Sequence, residues 1–213
     1  MSKSAKKKYE SPRQLERQAN ILTATREMLA DVGYHATTMR GLAERAGVVP
    51  GTLYNLYGSK DELVLTAVED LLIEIGTRAM AESEPGLSRI LKMTEITAAT
   101  MEQNPEYAEA MARALFRSEK DDPLTEVLYA RSLPATLDSL KTAQAHGDMR
   151  DDVDLEVLAR HMVAQGWGIV MAWIMGLIDL SDLSREYVRS FAMTLSTGAT
   201  ESARARLEAL IAA

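Results

Sequence analysis

The sequence predicts an all-α protein of about nine helices. Three observations lead there: apolar residues recur at three- and four-residue spacing in one segment after another; alternation of apolar and polar residues never persists between turn signals; and Ser, Asp, Gly and Pro stand where helices start and stop.

Taken in order, Ser11 as N-cap, Pro12 at the first helical position and Gln14 three residues after the cap open the first helix. Its apolar stripe is Leu15, Ala19, Leu22 and Leu29, with Ile21 and Met28 alongside, and Gly33 closes it. A short helix over 38–46 is followed by Gly47, and a third over 49–57 ends at Gly58. Ser59 with Glu62 three residues on forms a capping box for a long fourth helix through Leu63, Ala67, Leu71 and Ile75. Breaks at Pro85-Gly86, Asn104-Pro105, Asp121-Asp122-Pro123, His146-Gly147-Asp148 and Leu180-Ser181-Asp182 then delimit five more helices. Pro134 predicts a kink or split within 123–146, because proline removes one helical hydrogen bond and crowds the preceding turn. The stretch 147–154, with four aspartates, predicts a solvated loop ending in an N-cap at Asp154.

Composition narrows the function. A chain of 213 residues with 46% hydrophobic and 26% charged residues can bury a real core. The absence of cysteine excludes a disulfide framework, a thiolate metal site and a cysteine nucleophile, and fits a cytoplasmic protein. The longest apolar stretch, 166–178, is too short to span a bilayer, so no membrane partner is expected. Net charge is −7, but it is unevenly spread: residues 1–60 carry ten Lys and Arg against five Asp and Glu, while residues 61–213 carry 14 against 26. A basic front therefore sits on an acidic rear. Lys3, Lys6, Lys7 and Lys8 form a basic arm, read either as a solvated tail or as a reach along nucleic acid. The domain division expected is 1–10 for this flexible arm, 11–58 for a helical head and 59–213 for a second helical domain.

Residues 38–58 have the spacing of a helix-turn-helix. Leu42, Ala46, Val48, Leu53 and Leu56 are apolar where two helices and their support meet, Ala43 is small at the crossing, and Gly47 occupies the turn that calls for positive φ. An αα-hairpin serving a protein partner could share much of this pattern, and a helical interaction module remains the alternative reading. Beyond packing, Ile21-Leu22 through Gly33-Tyr34, the run Thr37-Thr38-Met39-Arg40-Gly41-Leu42-Ala43-Glu44-Arg45-Ala46-Gly47-Val48, Gly51-Thr52-Leu53-Tyr54 and Ser59-Lys60-Asp61-Glu62-Leu63 resemble the DNA-binding domain of the TetR family of bacterial transcriptional regulators. The likeness covers about residues 12–65.

That resemblance implies a homodimer on double-stranded operator DNA, with a ligand cavity in each C-terminal domain and a dimer interface built from the last helices. The implied recognition helix is the third, entering the major groove. Thr52 would meet a base edge or phosphate, Asn55 an adenine, and Tyr54 a phosphate or a packing partner, with Tyr57 mostly core; Pro50 and Gly51 bring backbone close to the duplex. Arg40 is the expected base contact outside that helix. Lys60 suits a phosphate, and Thr38 caps the second helix and offers its amides to another. Val49 departs from the family, where Ser or Thr commonly caps the recognition helix; Pro50 partly offsets the loss. At Leu56 the family often carries a histidine.

In the acidic part, methionines are abundant. They are ordinary core residues, yet they also line adaptable apolar pockets. The expected cavity residues are Met93, Met101, Met111, Phe116, Tyr129, Trp167 and Met171. Residues 101–105 with 109–114 are loosely similar to TetR-family repressors of actinobacterial sterol catabolism, which implies a small apolar effector, lipid, steroid or acyl-CoA-like, releasing a repressor from its operator. Arg113 and Arg117 offer a face for an acidic group on such a ligand, or pair with Glu109 and Glu119 as a solvated face. Val157, His161, Tyr187, Val188, Phe191 and Leu195 are the expected dimer surface, and Gly166 and Gly168 inside an apolar helix point to close helix contact or a kink. His161 has no second histidine at helical spacing, and no Ser–His–Asp set, phosphate loop or zinc pattern occurs; no enzyme, cofactor or metal is expected.

Overall fold

The structure is a computed structural model and describes residues 11–116 and 123–212. Among the described residues there are ten α-helices: α1 (Pro12–Ala36), α2 (Met39–Arg45), α3 (Pro50–Tyr57), α4 (Lys60–Glu82), α5 (Leu87–Gln103), α6 (Pro105–Phe116), α7 (Pro123–Ala145), α8 (Leu155–Ile174), α9 (Leu183–Ser196) and α10 (Glu201–Ala212), with a 3-10 turn at Leu180–Asp182. The basic arm and Arg117 lie outside the described residues.

The N-cap residues expected from sequence cap their helices, but the reciprocal capping box forms only at Ser11 and Gln14; at Ser59 only the serine half is made. Ser11 accepts from the Gln14 amide while Gln14 reaches back to the Ser11 amide at 2.8 Å. The Ser59 hydroxyl accepts from the Glu62 amide at 3.1 Å, and Asp154 from the amides of Glu156 and Val157. Gly33, at φ 73°, breaks the regular part of α1. The α1 stripe begins later than expected, since Leu15 is half exposed and Ala19 is exposed; burial starts at Ile21 because the first turns project beyond the helices that α1 packs on.

Helices α1 to α4 enclose a small core of Ile21, Leu22, Met39, Leu42, Ala43, Leu53, Leu63 and Ala67, with Ala46, Val48 and Tyr57 packed against it. Leu56 does not join it. Leu53 and Tyr57, four residues apart, take the inner face of α3, and Leu56 falls to the side, 41% exposed. A second cluster joins α1, α4 and α6 through Leu29, Val64, Val68, Tyr107 and Met111. The largest core unites α5, α7, α8, α9 and α10, with Leu140, Met162, Leu195 and Leu207 essentially inaccessible.

Three expectations change. Helix α7 runs through Pro134 without splitting: Pro134 and Ala130, whose carbonyl loses its partner, are both exposed, so water can satisfy that oxygen. The final segment is two helices, divided between Ser196 and Glu201. Gly198 sits in the break because a Cβ there would lie 2.8 Å from Met149 and 3.1 Å from Val153. The 147–154 loop is not simply solvated, for Met149 is buried and pairs with Ala199 in an antiparallel bridge, closed by Arg150 N–H to the Gly198 carbonyl and Thr200 N–H to the Asp148 carbonyl, each 2.9 Å.

The expected dimer residues divide. Tyr187 and Leu195 are buried within their own subunit, and Phe191 packs on two of its cores. The Tyr187 hydroxyl donates to the Gly166 carbonyl at 3.0 Å, and a Cβ at Gly166 would meet that hydroxyl at 3.2 Å. Apolar spacing on α9 therefore marks the face toward α5 and α8, not a partner. Val188 is half-buried, while Val157 and His161 lie on the outward face of α8 with Ala164, Gly168 and Met175. Gly168 has open space where a Cβ would stand. The His161 ring meets the Val157 carbonyl at 2.8 Å, and among the described residues no group of three His, Asp or Glu is placed to hold a metal.

Asp148 ties the start of α5 to α10. Its carboxylate accepts from the Leu87 amide at 2.9 Å, doing for α5 what the Gly86 N-cap cannot, and also pairs with Arg206 of α10. Asp148→Ala should cost about 1–2 kcal/mol of stability, the usual loss of a helix cap, read as a lower urea midpoint with an unchanged denaturant slope.

Candidate nucleic-acid interface and ligand cavity

Helix α2 begins at Thr38, whose hydroxyl accepts from the Gly41 amide at 3.2 Å, and ends at Ala46. Gly47, at φ 65°, turns the chain, with its amide donating to the Glu44 carbonyl and the Val48 amide to the Ala43 carbonyl. A side chain at that φ would be strained. The next helix therefore leaves on a fixed heading, and with Leu53 buried inward its other side faces outward.

That outward side gathers most of the expected contact residues. Arg40, Pro50, Gly51, Tyr54 and Asn55 are exposed, and Thr52 is half-buried. Val49 begins α3 with no side-chain cap, as its lack of a hydroxyl dictates. Arg45, close to Arg40 in sequence, is held by Asp31 of α1. Lys60 is more tethered than expected: its ammonium donates to the Tyr34 carbonyl at 3.1 Å and stands 4.2 Å from the centre of the Tyr34 ring. Tyr34 in turn donates to Asp61, so these bonds pin the end of α1 to the start of α4. Leu56 was missed as a surface residue because its spacing suits packing equally well.

The second feature is an apolar cavity of about 220 Å³ between α4, α5, α6 and α8. Val68, Leu71, Leu72, Ile75, Met101, Met111, Trp167 and Val170 line it, with Tyr107 and Tyr187. Of the expected residues, Met101, Met111 and Trp167 converge here. Met93 instead lines an adjoining, more open cavity on the other side of Ile75 and Trp167. Tyr129 is exposed and meets Trp167 edge-on at 6.4 Å, outside the wall; Met171 is half-buried and lines neither cavity, because Trp167 and Val170 take the inward positions of α8. The Phe116 side chain lies outside the described residues. Arg113 pairs with Glu109 at 2.6 Å on an exposed face, the solvated alternative for that residue. Tyr107, which the methionine pattern did not flag, is buried beside Leu29 of α1.

Residues 21–67 match the family model described as bacterial regulatory proteins, tetR family. The chain is 34% identical over 151 residues to the HTH-type transcriptional repressor KstR of Rhodococcus jostii, covering 64% of this chain and 70% of that one. It is 31% identical over 180 residues to KstR of Mycolicibacterium smegmatis, covering 82% and 85%. The chain belongs to the TetR family. Its fold is shared with the TetR-family repressor FadR of Thermus thermophilus, solved in complex with lauroyl-CoA, at a TM-score of 0.59 and 20% identity over 82% of this chain and 92% of that one. As a member of the TetR family the protein is a DNA-binding transcriptional regulator and not an enzyme. Among the described residues no helix is long and apolar enough to cross a membrane.

Restoring the missing cap gives a direct check on the reading helix. Val49→Thr should raise stability by about 0.5–1 kcal/mol, the worth of an N-cap hydroxyl, seen as a higher melting temperature.

Proposed function

We propose that this TetR-family protein is a cytoplasmic homodimeric repressor released from its operator by a small apolar effector held between α4, α5, α6 and α8. One observation carries the reading: Val68, Tyr107 and Met111 line the apolar cavity and are also the residues that brace Leu29 of α1. A molecule filling the cavity would press on the same side chains that orient the DNA-reading head. Release then requires only that the effector bind more tightly to the conformation that fits the operator poorly. The lauroyl-CoA bound by one structural neighbour, and the description of another, KstR2 of Mycobacterium tuberculosis, as a ketosteroid transcriptional regulator, support a lipid, steroid or acyl-CoA-like class.

On the DNA, Arg40, Thr52 and Asn55 would contact base edges, with Thr38, Pro50, Gly51, Tyr54 and Lys60 at the backbone. Leu56 suits the methyl group of a thymine. The partner subunit would dock on the outward face of α8, Val157, His161, Ala164, Gly168 and Met175, with exposed Met193 of α9 beside it. Close approach at Ala164 and Gly168 suits helix packing across a two-fold axis, and a dimer sets two recognition helices on half-sites about 34 Å apart. Domain boundaries of 11–58 and 59–213 serve this division of labour, although α4 belongs to both sides.

Arg40→Ala and Thr52→Ala should each weaken operator binding by about 1–3 kcal/mol while leaving helicity and dimer intact, measured by fluorescence anisotropy on the DNA upstream of the gene. Salt-insensitive binding, or none, would favour the protein-interaction module instead. Gly168→Arg with Met193→Glu should yield a folded monomer by light scattering with greatly reduced operator affinity; Phe191→Glu is unsuitable because that ring supports the subunit's own core. A dimer unchanged by the double variant would move the interface elsewhere.

A further inference from the structure

The apolar cavity contains several hydroxyl groups, and most are already engaged by the protein. Thr97 donates to the Met93 carbonyl and Thr100 to the Ile96 carbonyl, each at 2.7 Å, and Tyr187 donates to the Gly166 carbonyl. Tyr107 differs. It is 9% exposed, and its hydroxyl, shielded from solvent, has no hydrogen-bond partner among the described residues. A buried donor in that condition is costly in a native protein and calls for a specific explanation.

Its position suggests one. Tyr107, in the first turn of α6, lines the apolar cavity on one side and a polar cavity of about 450 Å³ on the other. We propose that the Tyr107 hydroxyl is the specificity donor of the effector site, giving its hydrogen bond to the carbonyl oxygen of an uncharged apolar ligand such as a ketone, ester or lactone. This rests on the effector reading above and narrows it.

Burial pushes the tyrosine pKa up to about 12, against a smaller opposing pull from Arg26, so the proton stays on the oxygen at any physiological pH. The group is a permanent donor. A carboxylate ligand also accepts hydrogen bonds, but the surroundings do not favour it. The polar cavity holds Arg26 and Arg78 beside Glu27, Asp31, Glu74 and Glu106. Arg26 is already bonded to Asp70 at 3.1 Å and to the Ala67 carbonyl at 3.3 Å, and Arg78 stands 3.5 Å from Glu82. An anion at Tyr107 would leave water for a site with more carboxylates than available cations. A neutral carbonyl satisfies the orphan donor without that penalty. The bond would also act on the side chain packed against Leu29 of α1, linking ligand choice to the DNA-binding head.

The test uses the full chain and three matched probes, methyl decanoate, undecane and decanoate, with binding read from intrinsic tryptophan fluorescence, since Trp167 lines the cavity. The wild type should bind methyl decanoate about tenfold more tightly than undecane, a factor equivalent to one hydrogen bond of about 1.4 kcal/mol, and more tightly than decanoate. Tyr107→Phe should remove most of that advantage, leave undecane affinity unchanged and keep or raise the melting temperature. The ester carbonyl infrared band should sit at lower frequency bound to wild type than bound to Tyr107→Phe. Failure of all three probes to bind would overturn the effector reading itself. Binding of all three with no loss of ester preference in Tyr107→Phe, or with decanoate tightest, would leave that reading standing and overturn this inference. A lowered melting temperature for Tyr107→Phe without ligand would also overturn it, by showing that the hydroxyl serves the fold.

Discussion

Helix α4 is the constraint on which the rest of the structure depends. Over 23 residues, about 35 Å of continuous helix, it gives Leu63 and Ala67 to the core of the DNA-reading head, Val64 and Val68 to the cluster joining α1 and α6, and Ile75 and Ala79 to a contact with Ile96 of α5. These successive turns face different neighbours, yet one rigid rod carries them all. A shift of its distal half must therefore appear at its N-terminus, where Ser59 caps the helix and Lys60 and Asp61 hold Tyr34. Arg26 adds a tie midway, bonded to both the Ala67 carbonyl and Asp70. The helix-turn-helix and the helices that border the cavity share this element, so the two cannot be positioned independently.

Protein interiors lose dispersion energy at every void, so the two neighbouring cavities are a cost to this fold. Leu140, Met149, Met162, Leu195 and Leu207 are almost fully buried in the large core, while Ile90 and Met162 of that same core also border the second cavity. Asp148 and the short Met149–Ala199 bridge close that end of the domain by joining the start of α5 to α10. The apolar space between α4, α6 and α8 borders Val68, Tyr107 and Met111, the side chains packed with Leu29 of α1.

The reading head depends on opposite design choices. Its core is small, made of tightly buried Leu42, Ala43, Leu53 and Leu63, beneath an outer face that mixes Arg40 and Asn55 with exposed Val49, Tyr54 and Leu56. The basic front of the chain is not uniformly available to phosphate, since Arg45 is neutralised by Asp31 and Lys60 is engaged with Tyr34. Among the described residues, Arg26 also uses its charge to orient helices, through Asp70 and the Ala67 carbonyl, whereas Arg40 is exposed. A regional charge count could not separate the two, because pairing partners such as Asp31 and Arg45 lie 14 residues apart on different helices.

What the sequence by itself determined follows from short-range chemistry. Ser11 with Gln14, Ser59, Asp154 and Gly47 each act within a helical turn or two, so most helix starts and the turn between α2 and α3 are legible from residue type and position alone. The local motif was also specific enough to show the family. What only the tertiary structure decided concerns which of several equivalent faces meets which neighbour. Apolar spacing on α9 marks a buried face without naming its partner, and Tyr187 and Leu195 prove to serve their own subunit. Leu56 and Leu53 look alike in sequence and differ in exposure because one helix has only one inward side. Tyr107 carried no signal at all: its place between two cavities arises from the packing of α1, α4 and α6, and that its buried hydroxyl meets no acceptor among the described residues depends on groups far apart in the chain.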